Sequence, residues 1–202
     1  MIAGKYENSI TEPLDLIKKG DTKAFESIFK TYYEDLVKYS YQFIQLQAVS
    51  EEIVQDVFVS YWERRETVEI KSSLKSYLYR AVKNRTINYI KLQLPKDQKT
   101  SDIDELPIMV IDDSDSSDLS SMHKLISSEI NKLPVKCRTI FLLSRTEGLS
   151  HKEIAEELNL SVKTIENQIG IALKRLRETL RPQLKKLSAL AILLLINLLK
   201  MF

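Results

Sequence analysis

Apolar residues recur every three to four positions through most of the chain, which is the spacing of an amphipathic helix. In the first half they form three stretches: Phe25 to Leu36, Ile53 to Tyr61 and Leu74 to Val82. Before each stretch stands a residue whose side-chain oxygen can accept hydrogen bonds from the first free backbone N–H groups. These candidate N-caps are Asp21, Ser50 and one of Ser72 and Ser73. The pattern predicts three helices within residues 21–94.

A second helical region extends from about Lys124 to Leu180. In it, Ser150 followed three residues later by Glu153 is the signature of a capping box, which predicts a helix that begins directly after Ser150. Asn159 can adopt the left-handed conformation that ends a helix, and Ser161 can cap the next one. A turn of this length sets two helices steeply across one another, so the pattern predicts a helix-turn-helix.

The second helix of this motif has an apolar side and a polar side. The apolar side has helical spacing and comprises Ile165, Ile169, Ala172, Leu173, Leu176 and Leu180. The residues that can contact base edges in a major groove, or phosphates, lie around the rest of the helix or just before it. They are Ser161, Val162, Lys163, Thr164, Asn167, Gln168, Lys174 and Arg175. We predict that the motif binds duplex DNA, with a plain helical hairpin as the alternative.

The last predicted helix of the first half combines cations with aromatic rings. Residues 71–91 contain Lys71, Lys75, Arg80, Lys83, Arg85 and Lys91, interleaved with Tyr77, Tyr79 and Tyr89. Such a helix suits single-stranded or melting DNA, because phosphates meet cations and unstacked bases meet aromatic faces. In the alternative, the helix is amphipathic and its tyrosines pack in the core. The spacing alone does not decide between them.

The composition favours helices over turn-rich β structure, since only 4 Gly and 5 Pro accompany 29% charged residues among 202. We therefore expect an all-α fold of two small helical domains. The single cysteine, Cys137, excludes an internal disulfide, and the first residues lack the basic-then-apolar plan of a signal peptide. We expect a cytoplasmic protein.

Between residues 95 and 123 the helical periodicity fails. Acids accumulate there without any Lys or Arg from residue 100 onward: Asp102, Asp104, Glu105, Asp112, Asp113, Asp115 and Asp118. The pattern predicts an acidic linker that is too polar to bury. A segment that imitates nucleic acid is the alternative.

Residues 182–202 form a separate tail, of which Leu187 to Phe202 are almost entirely apolar. A transmembrane helix needs about 20 mainly apolar residues, whereas this run is shorter and contains Asn197 and Lys200. We expect the tail to pack against the second helical region, because an exposed apolar run of this length tends to aggregate. Docking to a membrane-bound inhibitor is the alternative.

Four sequence blocks point to a known family. The first region contains GDTKAFESIFKTYYEDLVKYSY, SEEIVQDVFVSYWE and SYLYRAVKNRTINYIK, and the second contains LPVKCRTIFLLSRTEGLSHKEIAEELNLSVKTIENQI. In order and distance they resemble the second and fourth conserved regions of extracytoplasmic-function sigma factors of the sigma-70 superfamily, and in particular the Bacteroidetes-type members. Two linked regions are more specific than either one alone.

This resemblance implies a factor that binds core RNA polymerase, recognises and helps melt promoter DNA, and directs initiation at a specific regulon. Residues 18–94 would bind polymerase and the minus-ten element, 95–123 would be the linker, 124–181 would bind the minus-thirty-five element, and 182–202 would be the tail. Expected partners are the β and β′ subunits of core polymerase, promoter DNA and an anti-sigma factor, with a membrane-bound one among the alternatives. No small-molecule substrate or cofactor is expected.

The resemblance also implies roles for particular residues. Contact with polymerase falls to Glu52, Gln55 and Asp56. Contact with the minus-ten element falls to Lys75, Tyr79, Arg80, Lys83, Asn84, Asn88 and Lys91, of which Asn84 and Asn88 match positions that the family uses on bases. The loop from Arg64 to Ser73 resembles the part that opens this element and holds an extruded base, and the helices around Leu133 to Leu143 resemble the part that grips the polymerase β flap.

Other classes of function have weaker support. No enzyme is expected, because His123 and His151 are far apart in sequence, Cys137 has no metal-ligand spacing around it, and no phosphate-binding glycine loop occurs. A stand-alone helix-turn-helix regulator would leave the first helical region without a role. A helical membrane-associated adaptor is favoured by the apolar tail and disfavoured by the basic helix.

Overall fold

The computed structural model describes residues 14–70, 72–93 and 118–184. Within these ranges all regular structure is helical and no strand occurs, which confirms the predicted all-α class. Three predicted features lie outside the described ranges: Lys71, the acidic residues before Asp118 and the apolar run from Leu187 to Phe202. The hypotheses about the acidic linker and the packing of the tail concern these residues. Among the described helices, none combines the length and the apolar character that crossing a membrane requires.

The chain divides after Ile90 into two compact units. The first unit contains a short helical segment at residues 14–18 and three long helices: α1 (Thr22–Ile44), α2 (Gln47–Glu63) and α3 (Leu74–Gln93). The second contains α4 (Asp118–Asn131), α5 (Val135–Arg145), α6 (His151–Leu158) and α7 (Val162–Leu184). Helix α4 thus begins before Lys124, where the apolar periodicity of the second region starts.

Two of the predicted N-caps in the first unit are confirmed. The Asp21 carboxylate accepts hydrogen bonds from the backbone N–H groups of Lys23 and Ala24, at 2.9 and 3.1 Å. Ser73 Oγ accepts one from the backbone N–H of Ser76 at 3.1 Å. Each oxygen satisfies donors that the first turn of a helix leaves free.

The prediction that Ser50 caps the second long helix is wrong. Helix α2 begins at Gln47 after Leu46, which makes no side-chain cap. The backbone N–H of Ser50 already donates to the Leu46 carbonyl at 3.0 Å. The reason lies in the preceding turn: Gln45 adopts a left-handed conformation with φ of 60°, so the chain reverses early and the helix takes in Ser50 as a buried residue.

Large apolar side chains join the three helices of the first unit. Phe58 of α2 packs against Phe25 and Phe29 of α1, with ring centroids 6.0 and 4.9 Å apart. Leu78 of α3 is fully buried. Between α1 and α3, the hydroxyls of Ser40 and Thr86 share a buried hydrogen bond of 2.9 Å, and neither residue is exposed at all.

This hydroxyl pair leads to a stability prediction. Ser40→Ala or Thr86→Val alone should lower the free energy of unfolding by about 1–3 kcal/mol, because each leaves one buried hydroxyl without its partner. The double variant should lose less than the sum of the two, since it removes both polar groups together. Urea titration of all four proteins measures this coupling, and strictly additive losses would show that the two hydroxyls do not depend on each other.

In the second unit, α4, α5 and α6 all pack against α7. One buried cluster joins α5 to α7 and consists of Leu133, Cys137, Phe141, Ala172 and Leu176. The Cys137 thiol donates to the Gln168 carbonyl at 3.3 Å, and burial raises the pKa of this thiol to about 11. The buried Arg138 guanidinium donates to the carbonyls of Asn131 and Leu133, at 3.0 and 2.8 Å, and so fastens the turn between α4 and α5.

The helix-turn-helix of α6 and α7 forms as predicted. Ser150 Oγ accepts from the Glu153 backbone N–H at 3.3 Å, and the Glu153 carboxylate accepts from the Ser150 backbone N–H at 2.8 Å. Hydrogen bonding of the Glu153 carboxylate to the Ser150 side chain, and then to the Ser150 backbone N–H, lowers the pKa of Glu153. Helix α6 ends at Asn159, which is left-handed with φ of 54°, and Ser161 Oγ accepts from the Thr164 backbone N–H at 3.0 Å at the start of α7.

Candidate nucleic-acid interface

Helix α3 presents one polar stripe to solvent. Arg80, Asn84 and Asn88 follow one another at intervals of four residues, and Lys91 follows three later, so all four share one face. The first three are exposed and Lys91 is half-buried. Two amides therefore lie between two cations on one surface, which we call the α3 stripe. Amides can hydrogen-bond base edges and the cations can contact phosphates.

The other residues predicted for the minus-ten element lie elsewhere on α3. Lys75, Tyr79 and Lys83 form a separate line, and Tyr79 is rotated from Asn84 by roughly 140° around the helix. The Tyr79 ring packs edge-on against Tyr39 of α1, with centroids 5.3 Å apart, and the Lys75 ammonium lies 5.8 Å from the Tyr79 centroid. The structure thus brings four of the seven predicted residues together on the α3 stripe and places Lys75 and Tyr79 on another side of the helix. Lys83, three residues after Arg80, lies between the two groups.

Tyr79 and Tyr77 contact other helices at the edge of the core, which agrees in part with the alternative in which the tyrosines pack in the core. Burial, and then the nearby Asp35 and Tyr32, raise the pKa of Tyr79. Tyr77 packs on Tyr61 of α2 at 5.7 Å. Both rings are half-buried, so much of their surface serves the contacts of α3 with α1 and α2.

Helix α7 also carries an exposed stripe. Lys163, Asn167, Gly170 and Lys174 recur at intervals of three and four residues and are all exposed, and we call them the α7 stripe. The remaining residues predicted for the minus-thirty-five element lie beside it: Ser161, Val162 and Arg175 are exposed, whereas Thr164 and Gln168 are half-buried. The Ser161 and Thr164 hydroxyls are hydrogen-bonded to each other at 2.8 Å. Lys163 pairs with Glu166 across 3.7 Å.

The residues predicted to contact polymerase lie together on α2. Glu52, Gln55 and Asp56 are exposed on one face. The Asp56 carboxylate accepts a hydrogen bond from the Arg85 guanidinium of α3 at 2.8 Å. This ion pair links the acidic face of α2 to the helix that carries the α3 stripe, and the spacing of residues along either helix does not reveal it.

Val59, which neither spacing nor resemblance singled out, lies on the same face of α2. Its side chain is 56% exposed, and it follows Gln55 and Asp56 at helical spacing. The sequence could have indicated Val59, because this apolar residue does not fit the helical spacing of the buried positions of α2, which include Ile53, Val57 and Phe58. We call the surface formed by Glu52, Gln55, Asp56 and Val59 the α2 face, and the exposed valine gives it an apolar part at its C-terminal end.

The loop that joins α2 to α3 is held at its α2 end by contacts of Arg65 and Trp62. The Arg65 guanidinium lies 4.7 Å from the centroid of the Trp62 ring and donates to the Trp62 carbonyl at 3.0 Å. The Trp62 ring also packs against Phe25 of α1, with ring centroids 4.8 Å apart. Val68 closes a backbone turn by donating to the Arg64 carbonyl at 2.9 Å. The loop predicted to hold an extruded base therefore starts from fixed aromatic and cationic contacts.

Comparison with known families matches both units in order. The model of sigma-70 region 2 matches residues 28–93, and the model of sigma-70 region 4 matches residues 123–176. The first range contains the α2 face and the α3 stripe, and the second contains α6 and α7 as far as Leu176, including the α7 stripe. A helical unit of each kind in one chain defines a transcription-initiation factor of the sigma-70 type.

Similarity to individual sequences shows to which group of sigma-70 factors the chain belongs. The chain is 29% identical to the ECF RNA polymerase sigma factor SigW of Bacillus subtilis, over 90% of this chain and 100% of that protein. It is 24% identical to the ECF RNA polymerase sigma-E factor of Haemophilus influenzae, over 84% and 94%. A co-crystal structure of the sigma factor RpoE with the anti-sigma factor NepR from Bartonella quintana aligns with a TM-score of 0.42 at 18% identity, covering 79% of this chain and 98% of that one. The chain belongs to the extracytoplasmic-function group of the sigma-70 family.

Proposed function

We propose that this sigma factor uses three separate surfaces: the α2 face for core RNA polymerase, the α3 stripe for the minus-ten element and the α7 stripe for the minus-thirty-five element. The observation that carries the proposal is the separation of charge. Exposed carboxylates lie on the α2 face, whereas cations flank the amides of both stripes. The chain itself performs no catalysis, and the polymerase supplies the chemistry of initiation.

The α2 face suits a basic protein surface. Glu52 and Asp56 offer negative charge, which attracts a cationic partner and sets its orientation. Val59 adds exposed apolar area next to Gln55 and Asp56, and burial of apolar area favours association. By resemblance the partner surface is a clamp coiled coil of core polymerase.

The α3 stripe suits DNA whose bases are unstacked. Arg80 and Lys91 can hold phosphates at its two ends, which leaves the two amides between them free to reach bases. Opening a base pair costs a few kcal/mol, so contacts of this kind must offset the cost. The loop that starts at Trp62 and Arg65 lies just before α3 in the chain and would hold the extruded base.

Asn84 should discriminate between bases, and Arg80 should not. Asn84→Ala should lower the preference for one base of the minus-ten element by about 1–3 kcal/mol, because an amide is lost from a base edge. Arg80→Ala should weaken binding to all templates alike and reduce the salt slope by about 1. Holoenzyme binding to a set of single-base promoter variants measures both. Gln42→Ala removes an exposed amide from α1 and is the control, and equal losses on every template for Asn84→Ala would contradict its assignment.

The α7 stripe suits the major groove of duplex DNA. It lies on the second helix of a helix-turn-helix, whose N-terminal residues contact base edges in this class of motif. Asn167 is suited to adenine, and the exposed Val162 is suited to a thymine methyl group. On this basis we propose residues 18–94 as the part that binds polymerase and the minus-ten element, and residues 124–181 as the part that binds the minus-thirty-five element.

Run-off transcription tests the proposed function. Core polymerase from the native host, supplied with the purified chain and genomic templates, should yield products that start at particular promoters and that disappear when the chain is omitted. A template with a scrambled minus-thirty-five element is the control. Absence of any chain-dependent product would contradict the proposal. Binding to the promoter duplex by the chain alone, without such a product, would instead indicate a stand-alone regulator.

We propose that the factor acts in the cytoplasm, where polymerase and promoters are found, and that an anti-sigma factor regulates it. The resemblance supports this partner, since inhibition by such a factor is implied by the family. Capture with the full-length chain from the native host, from soluble and membrane fractions separately, would show whether the inhibitor is membrane-bound. A specific inhibitor should abolish run-off transcription when it is added back.

A further inference from the structure

Nothing in the described part of the chain requires a glycine at position 170. Gly170 lies in the interior of α7, where a glycine makes a helix less stable than alanine does. Its φ is not positive, unlike those of Gly20 and Gly148. A Cβ atom built at Gly170 would meet nothing within 4 Å. Neither the backbone conformation nor internal packing therefore requires glycine here.

The surroundings of Gly170 indicate what approaches it. Asn167 and Lys174 precede and follow it on the α7 stripe, and Lys163 lies one further turn before Asn167. Arg177, seven residues after Gly170, adds exposed positive charge farther along the same face. A cationic helix face with a central amide is complementary to the edge and phosphates of duplex DNA.

We propose that Gly170 is a positioning residue for promoter recognition: the missing side chain lets α7 lie closer to the duplex than any other residue would allow. The inference rests on the proposed function and adds a specific determinant to it. When α7 lies this close to the duplex, Asn167 reaches a base edge and Lys174 reaches a phosphate. A side chain at position 170 would hold the helix away from the groove, and both contacts would lengthen together.

Two effects of opposite sign follow for Gly170→Ala. The melting temperature of the full-length chain should rise by roughly 2–4 °C, because alanine favours the helix and meets no neighbour. Affinity of the holoenzyme for a duplex carrying the minus-thirty-five element should fall about tenfold, as expected for the loss of a base contact. Gly170→Leu should reduce affinity further, since the side chain is larger. A change that stabilises the protein and weakens DNA binding cannot be explained by damage to the fold.

Thr179→Ala is the matched control. Thr179 is exposed on the same helix, about two and a half turns beyond Gly170 and so on the opposite side. The change raises helix propensity and should leave DNA affinity as it is. Lys163→Ala, on the α7 stripe itself, should weaken binding and shows that the assay detects this surface.

The outcomes separate this inference from the proposed function. If Lys163→Ala weakens binding but Gly170→Ala does not, the proposed function stands and the role of Gly170 is overturned. If Gly170→Ala lowers the melting temperature, the glycine serves the fold of the chain and the inference is again overturned. If the holoenzyme with the unchanged chain binds no promoter, both the proposed function and the inference fail.

Discussion

Asp56→Arg should weaken binding to core RNA polymerase by more than about a hundredfold, or roughly 3 kcal/mol. The substitution reverses the charge at the centre of the α2 face, and a cationic partner would then meet a like charge. In the free chain, the new side chain would also face Arg85, whose guanidinium lies 2.8 Å from the Asp56 carboxylate. A fluorescence competition assay with core polymerase measures the loss.

A charge swap separates docking from folding in this experiment. Asp56→Arg combined with Arg85→Glu restores an ion pair between α2 and α3, but it leaves the reversed charge on the α2 face. Because both side chains of the present pair are 42% or more exposed, the pair contributes little, and the swap should change the free energy of unfolding by less than about 1 kcal/mol. If the swap restored polymerase binding, the role of Asp56 would lie in holding α3 and not in contacting polymerase.

Ile165→Ala should lower the free energy of unfolding of the second unit by about 2–5 kcal/mol. Ile165 is completely buried on α7, and truncation would leave a cavity at the centre of the helix-turn-helix. Binding to the minus-thirty-five element should fall with the population of the folded unit. Val162→Ala is the matched control for the unfolding measurement, because that side chain is 41% exposed and its truncation should cost at most about 0.5 kcal/mol.

Cys137 provides a direct readout of this destabilisation. Its thiol is buried between α5 and α7, and burial raises its pKa to about 11 from an ordinary value of 9.0. Alkylation requires the thiolate, so labelling at neutral pH should proceed through opening of the unit. Ile165→Ala should accelerate labelling and Val162→Ala should not. Since the folded pKa is the higher one, this thiol stabilises the fold below pH 9 and loses its contribution as the pH rises from about 9 to about 11.

Most helices could be predicted from sequence because the signals that define them are local. A capping box, a left-handed asparagine and a serine cap lie within a few residues of the turn that they form, and the structure contains all three at Ser150, Asn159 and Ser161. Ser50 shows where local reasoning fails. A serine before two acids has the pattern of a cap, but the reversal at Gln45 determines where α2 starts.

The candidate surfaces required the tertiary structure. Sequence spacing and resemblance together placed seven residues of α3 in one DNA-binding set. Helix geometry alone puts Tyr79 about 140° from Asn84, and the tertiary structure adds that the side with Tyr79 packs against Tyr39 of α1. The same holds for the pair of Asp56 and Arg85, which come from different helices. The sequence by itself determined the helical class, the helix-turn-helix and the types of side chain available for polymerase and DNA. Only the tertiary structure decided which of those side chains share a surface, because periodicity shows that a helix face is buried but not which distant residue covers it.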